Sequence, residues 1–126
     1  MKTVIAIALG GAIGAVARYF ISRWVVLALG SAFPWGTLTV NIVGCFVLGF
    51  LVEIMTLLWS PSEEYRAFLT VGLLGALTTF SAFSLDIAVL QGRGETLLAV
   101  VYVALSVSGS IVAIFAGIFL TRTILQ

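Results

Sequence analysis

Apolar residues run almost unbroken along this chain, and charges fall only where the runs stop. Stretches free of any charge occupy residues 4–17, 37–52, 67–85 and 96–121. They show neither the alternation of a half-buried strand nor the single apolar stripe of a helix covering a soluble core. A helix needs roughly 20 residues to cross a bilayer. With their flanks, the runs predict four spanning helices at about 2–29, 33–58, 65–91 and 95–121. Turn residues sit at each joint, as Gly30-Ser31, Ser60-Pro61-Ser62 and Gly92-Arg93-Gly94.

Composition turns that pattern into a class. Hydrophobic residues make up 62% of the 126 and charged ones only 9%, so the solvent for most side chains is lipid. The expected fold is an all-α membrane protein, one four-helix domain over residues 1–126 that crosses the membrane several times. The first run continues past Arg18 without a small-residue cleavage site and reads as a retained helix. The absence of histidine excludes imidazole metal sites and histidine acid–base catalysis. Neither an enzymatic activity nor a nucleic-acid partner is expected. Cys45 is the only cysteine and reads as a small buried hydrophobe. Four helices leave little room to enclose a pore, which favours oligomerisation.

The cations carry no orientation signal. Lys2, Arg66 and Arg122 fall on one side of a four-span chain, and Arg18, Arg23 and Arg93 on the other, three against three. Such balance predicts dual topology with an antiparallel dimer, or else a weak topology set by a partner or by chance. In an antiparallel pair any off-axis pore appears twice, in opposite senses. The acids Glu53 and Asp86 lie toward helix ends and are expected to be solvated rims.

The polar residues inside the spans are few and patterned. In the first, Gly10, Gly14 and Arg18 recur at spacing four and give a smooth face for close helix approach. The arginine either snorkels to the interface or draws anions into a vestibule. In the second, Asn41, Gly44, Leu48 and Gly49 share a face, with Asn41 either interhelical glue or an amide donor to an anion. In the fourth, Tyr102, Ser106 and Ser110 form a hydroxyl ladder that Ala113 and Gly117 extend. The third holds Gly75-Ala-Leu-Thr78-Thr79-Phe80-Ser81-Ala82-Phe83-Ser84. Phe80 and Phe83 share a face, with Thr79 and Ser84 flanking them. Ring edges are positive and can meet an anion. Gly72, Gly75 and the Thr78-Thr79 pair predict a helix break that frees carbonyls toward an ion.

Three motifs in order resemble the CrcB/Fluc fluoride channels over essentially the whole chain. They are Gly10-Gly-x-x-Gly-Ala-x-x-Arg18-Tyr, Gly36-Thr-Leu-x-Val-Asn41-x-x-Gly-x-Phe and Gly72-x-x-Gly75-x-x-Thr78-Thr-Phe80-Ser-x-Phe83-Ser. The resemblance implies an antiparallel homodimer in a bacterial inner membrane with two pores that pass fluoride out of the cytoplasm. It implies that Phe80 and Phe83 line each pore, with Asn41, Thr79, Ser81, Tyr102, Ser106 and Ser110 as polar contacts and Arg18 toward a vestibule. It also implies one structural sodium ion held by the Gly75 and Thr78 carbonyls. The family pattern usually has threonine where this chain has Ala82.

Two other classes compete. A small proton-coupled multidrug exporter needs a carboxylate deep in its cavity, usually in the first helix, and residues 2–29 contain none. A membrane scaffold would leave the hydroxyl ladder without a purpose. Weak neutral donors suit fluoride, because a selective conducting site must bind well enough to admit the ion and loosely enough to release it.

Overall fold

The computed structural model describes every residue from Met1 to Gln126 and is all-helical. Helix α1 covers Lys2–Leu29 and α2 Trp35–Leu57. The third span consists of α3 (Glu63–Ala67), a π-helical segment (Phe68–Leu74), α4 (Gly75–Leu77) and α5 (Phe80–Gly92). Helix α6 covers Thr96–Leu125. Four lengths, Lys2–Leu29, Trp35–Leu57, Glu63–Gly92 and Thr96–Leu125, are long and apolar enough to cross a membrane. At about 1.5 Å per residue even the shortest exceeds the roughly 30 Å hydrocarbon core.

Glycine decides which helices meet. A Cβ on Gly10 would lie 2.9 Å from Leu73 N, and one on Gly72 only 2.8 Å from Ile7 O, so α1 rests backbone to backbone on the third span. A Cβ on Gly117 would come within 2.8 Å of Phe50 N, which gives α2 and α6 the same intimacy. Lipid tails are as apolar as leucine, so close van der Waals packing of this kind is what associates helices in a bilayer. Pairs α1 with the third span and α2 with α6 then join through α1 against α2 and α5 against α6.

The α2–α6 seam also corrects the expectation for the acids. Glu53 is not a solvated rim: it is only 6% exposed and accepts from Arg122 Nε at 2.6 Å. The glycine contact brings the two helix ends close enough for that pair, and α6 runs on past residue 121 as far as Leu125. Thr121 is likewise buried, donating to Gly117 O at 3.0 Å. Asp86 is half-buried, because the Tyr102 hydroxyl donates to its Oδ2 at 2.8 Å.

Only 21 of the 126 residues are buried in the single chain. Large apolar side chains on α1 and α6, such as Ile13, Val112, Phe115 and Phe119, point outward. That surface suits lipid or another chain, not water.

Candidate functional site

Helix α4 ends at Leu77 and α5 begins at Phe80, and the two threonines between them are extended. Thr78 has ψ 155° and Thr79 has φ −153°, ψ 123°. Inside a membrane, backbone groups released this way need partners within the protein. Thr78 N–H and Oγ1–H both donate to Leu74 O, at 3.1 and 2.9 Å, closing the end of α4. Thr79 Oγ1 caps α5 by accepting from Ala82 N at 3.1 Å, the usual service of a threonine at a helix start. Its oxygen also lies 3.1 Å from Ser81 Oγ.

The remaining groups of Thr79 are met from across the bundle. Thr79 N–H donates to Asn41 Oδ1 at 2.7 Å, and Asn41 Nδ2 donates to Thr79 O at 3.0 Å. One side-chain amide from α2 therefore takes the place of a helical turn. The amide that would have closed on the Gly75 carbonyl four residues back is diverted to Asn41, and that carbonyl is released. Both earlier roles for Asn41 remain open, since Nδ2 carries a second hydrogen.

Beside this linker lies a cavity of about 400 Å³. Asn41, Gly75, Thr78, Thr79, Phe80, Phe83, Ser106 and Ser110 all border it. The two phenyl rings stand 5.4 Å apart at 51°; Phe83 is 7% exposed and Phe80 78%. Ser106 Oγ is buried without any hydrogen-bond partner, although its residue is only 5% exposed. Serines within membrane helices commonly bond back to a carbonyl, as Ser84 does to Phe80 O at 3.0 Å. Ser106 departs from that habit: the residue borders the cavity, while its hydroxyl oxygen is itself buried and not open to that space.

Three expected site residues lie elsewhere. Ser81 is exposed and turns to Thr79. Tyr102 is fully buried; its ring sits 5.2 Å behind Phe83 and its hydroxyl is committed to Asp86. Arg18 borders a neighbouring cavity of about 450 Å³ together with Arg23, Thr37 and Ala82. Thr79 is the one residue that walls both cavities, so the linker divides a cationic chamber from a hydroxyl-lined one. Two residues were missed from sequence. Cys45 borders the hydroxyl cavity one helical turn after Asn41, a spacing that pointed there. Arg23 joins Arg18 at the neighbouring cavity, and nothing in the local pattern marks it.

Residues 5–118 match the family described as CrcB-like protein, Camphor Resistance (CrcB). The chain belongs to this family. Among its relatives, proteins named fluoride-specific ion channel FluC are 48% identical in Rhizobium etli, over 98% of this chain and 99% of the relative. The Chelativorans sp. protein of that name is 51% identical over 99% and 100%, and the Rhodospirillum centenum one 49% over 98% of each. Similarity of this extent covers the linker, the ring pair and the hydroxyl ladder alike.

Replacing Asn41 by leucine removes both bonds to Thr79. The loss is expected to cost about 1–2 kcal/mol of folding stability, read by denaturation in mixed detergent. Amide exchange at Thr79 is expected to change in the same variant. Unaltered stability together with unaltered exchange would show that Asn41 does not hold the linker.

Proposed function

We propose that the chain is a fluoride-selective passive channel that exports fluoride from the cytoplasm of a bacterium, working as an antiparallel homodimer in the inner membrane with two pores. The observation that carries this reading is one cavity, free of charged residues, that Asn41, Thr79, Ser106, Ser110 and the Phe80–Phe83 ring pair border together. A small anion there would meet weak donors only: hydroxyls of Thr79, Ser106 and Ser110, the spare Asn41 N–H, and ring edges. The first-turn amides of α5 point the positive end of that helix toward the same place. No charge borders this cavity, so an ion entering is not trapped. Arg18 and Arg23 in the adjoining chamber raise the local anion concentration at its mouth. Ser81 extends the donor set through Thr79, and Tyr102 extends it toward Asp86. The names of the relatives point to the same ion.

The partner is a second copy. Phe80 borders the cavity yet is 78% exposed, which supports a second chain covering its outer face. The equal division of cations supports insertion in both orientations, which an antiparallel pair needs.

A structural sodium ion fits the linker. The oxygens at the linker are the neutral carbonyls and hydroxyls of Gly75, Thr78 and Thr79. The Gly75 carbonyl has lost its helical donor to Asn41, and Gly75 is exposed in the single chain. Gly75 and Thr78 carbonyls are the residues to hold the ion, in keeping with the oxygen preference of hard cations. When bound, it supplies positive charge to carbonyls at the helix break.

Export needs no energy coupling. Hydrogen fluoride enters neutral and releases fluoride in the less acidic cytoplasm. An inside-negative potential then drives the anion out by about 2.3 kcal/mol per 100 mV.

Phe80→Ile and Phe83→Ile are each expected to lower fluoride efflux from liposomes roughly tenfold or more, about 1.4 kcal/mol of barrier, with the dimer intact by size. Efflux equal to wild type, with chloride as control, defeats the ring-edge pathway. Exchanging sodium for a bulky organic cation is expected to reduce efflux or loosen the dimer; a titration with no sodium response removes the cation. Terminal tags read in whole cells are expected on both sides of the membrane, and a single orientation rules out dual topology.

A further inference from the structure

We propose that the Glu53–Arg122 pair is a register lock: two positioning residues that hold α2 and α6 at the offset which sets Asn41 level with Ser110. Its bearing on ion flow rests on the fluoride reading above; the register it fixes does not.

Helices α2 and α6 run side by side in the same direction. Ile42 meets Gly109 near the start of their contact, Phe50 meets Thr121 further on, and Glu53 meets Arg122 at the far end. The middle of that seam is smooth. A Cβ on Gly117 would come within 2.8 Å of Phe50 N, and one on Gly49 within 3.0 Å of the Ile114 carbonyl carbon. Packing of this kind fixes how closely two helices approach. It opposes sliding only weakly, because a glycine offers no side chain to catch on its neighbour.

Directional bonds supply the register, and they lie at one end. Arg122 Nε donates to Glu53 Oε1 at 2.6 Å across 69 positions of sequence, and Thr121 Oγ1 lies 3.3 Å from Phe50 O. Glu53 is 6% exposed and is the one charged residue among the buried ones. A carboxylate at such a place is costly once its partner leaves. A slip of one residue would carry Arg122 about 1.5 Å along the axis and strain that single bond, so the pair resists movement in either sense. Setting register is the best-attested use of a buried polar pair, ahead of stability.

The same offset reaches the cavity. Asn41 and Ser110 are also 69 positions apart, each twelve residues before its member of the pair, or about 18 Å along the helix. Both border the cavity of about 400 Å³, Asn41 from α2 and Ser110 from α6. Asn41 is fastened to Thr79 by two hydrogen bonds, so α2 carries the linker with it. Neither Asn41 nor Thr79 is bonded to α6, so the relative height of the two donor sets is decided at the distant pair.

The test reads register and ion flow separately. Register is read by a disulfide between Ile42→Cys and Gly109→Cys in protein carrying Cys45→Ala, since a Cβ on Gly109 would lie 3.5 Å from Ile42 Cγ1. Cross-linking within one chain by copper phenanthroline is expected to be fast, and at least tenfold slower once Arg122→Gln is added. Fluoride efflux from liposomes, per folded protein, is expected to fall about tenfold in Arg122→Gln alone, with chloride gaining on fluoride. Glu53→Leu with Arg122→Leu, which folds without a buried charge, carries the same two expectations. Arg122→Lys is expected to restore efflux to within about threefold of wild type, and failure to do so overturns the ion pair as the cause. Met55→Ala, a buried change elsewhere on α2, is expected to lose stability and keep its efflux; an equal loss there overturns positioning. Cross-linking at the unaltered rate in both pair variants overturns the lock. Slowed cross-linking with undiminished efflux overturns its control of the ion route. Wild-type protein that passes no fluoride defeats the fluoride reading, and the cross-linking arm still decides whether the pair sets register.

Discussion

In a bilayer, a backbone amide that leaves its helix has no water to turn to, and each such group costs several kcal/mol if left alone. The third span leaves its helical course at Thr78 and Thr79, and the rest of the structure follows from how that cost is met. Asn41 meets it with one side chain, giving Oδ1 to Thr79 N–H at 2.7 Å and Nδ2 to Thr79 O at 3.0 Å. The amide group is suited to this because it presents a donor and an acceptor side by side, as a peptide does. Aspartate would offer no donor, and leucine neither. With Thr79 held extended, its own hydroxyl is free to cap α5, and the ring pair of α5 is set beside the cavity rather than one helical register away.

The glycine seams make that exchange possible. Asn41 can reach Thr79 only because α2 lies close to the linker, and Gly44 against Thr78 is what permits the approach. The same device sets α1 on the third span through Gly10 and Gly72, and α2 on α6 through Gly49 and Gly117. Residues without side chains are thus spent on backbone contact, while the bulky apolar side chains are left to face outward. This reverses the order of a soluble core, and it is the expected order where lipid competes with every apolar contact.

Much of this was legible from the chain alone. Long uncharged runs and their turn residues placed the four helices, since the bilayer demands length and hydropathy and asks little of packing detail. The polar residues that stand out against an apolar background, Asn41, Thr79, Ser106 and Ser110, do gather at one cavity. What escaped was the partner of each. Helical spacing puts Tyr102 in register with Ser106 and Ser110, yet Tyr102 is long enough to reach past the ladder to Asp86 on another helix. Glu53 looked like a rim because it lies near a helix end, but burial there is decided by how near α6 comes, and by Arg122, 69 positions away. Spacing reports the face a residue occupies and is silent on what the next helix presents to it.

The two rings of the site are unequally covered. Phe83 is packed between Phe80 and Tyr102, at ring separations of 5.4 and 5.2 Å, and is held firmly at 7% exposure. Phe80, its immediate neighbour, has only that one ring against it and is 78% exposed. A ring that merely faced lipid would have no reason to border a cavity carrying an unpartnered serine. A ring that lined a finished pore would be covered. The two facts agree if the outer face of Phe80 is completed by an equivalent surface. In the symmetric pair proposed above, the second copy would supply that surface, and the weak donors gathered around Thr79 would line a closed path instead of an open groove.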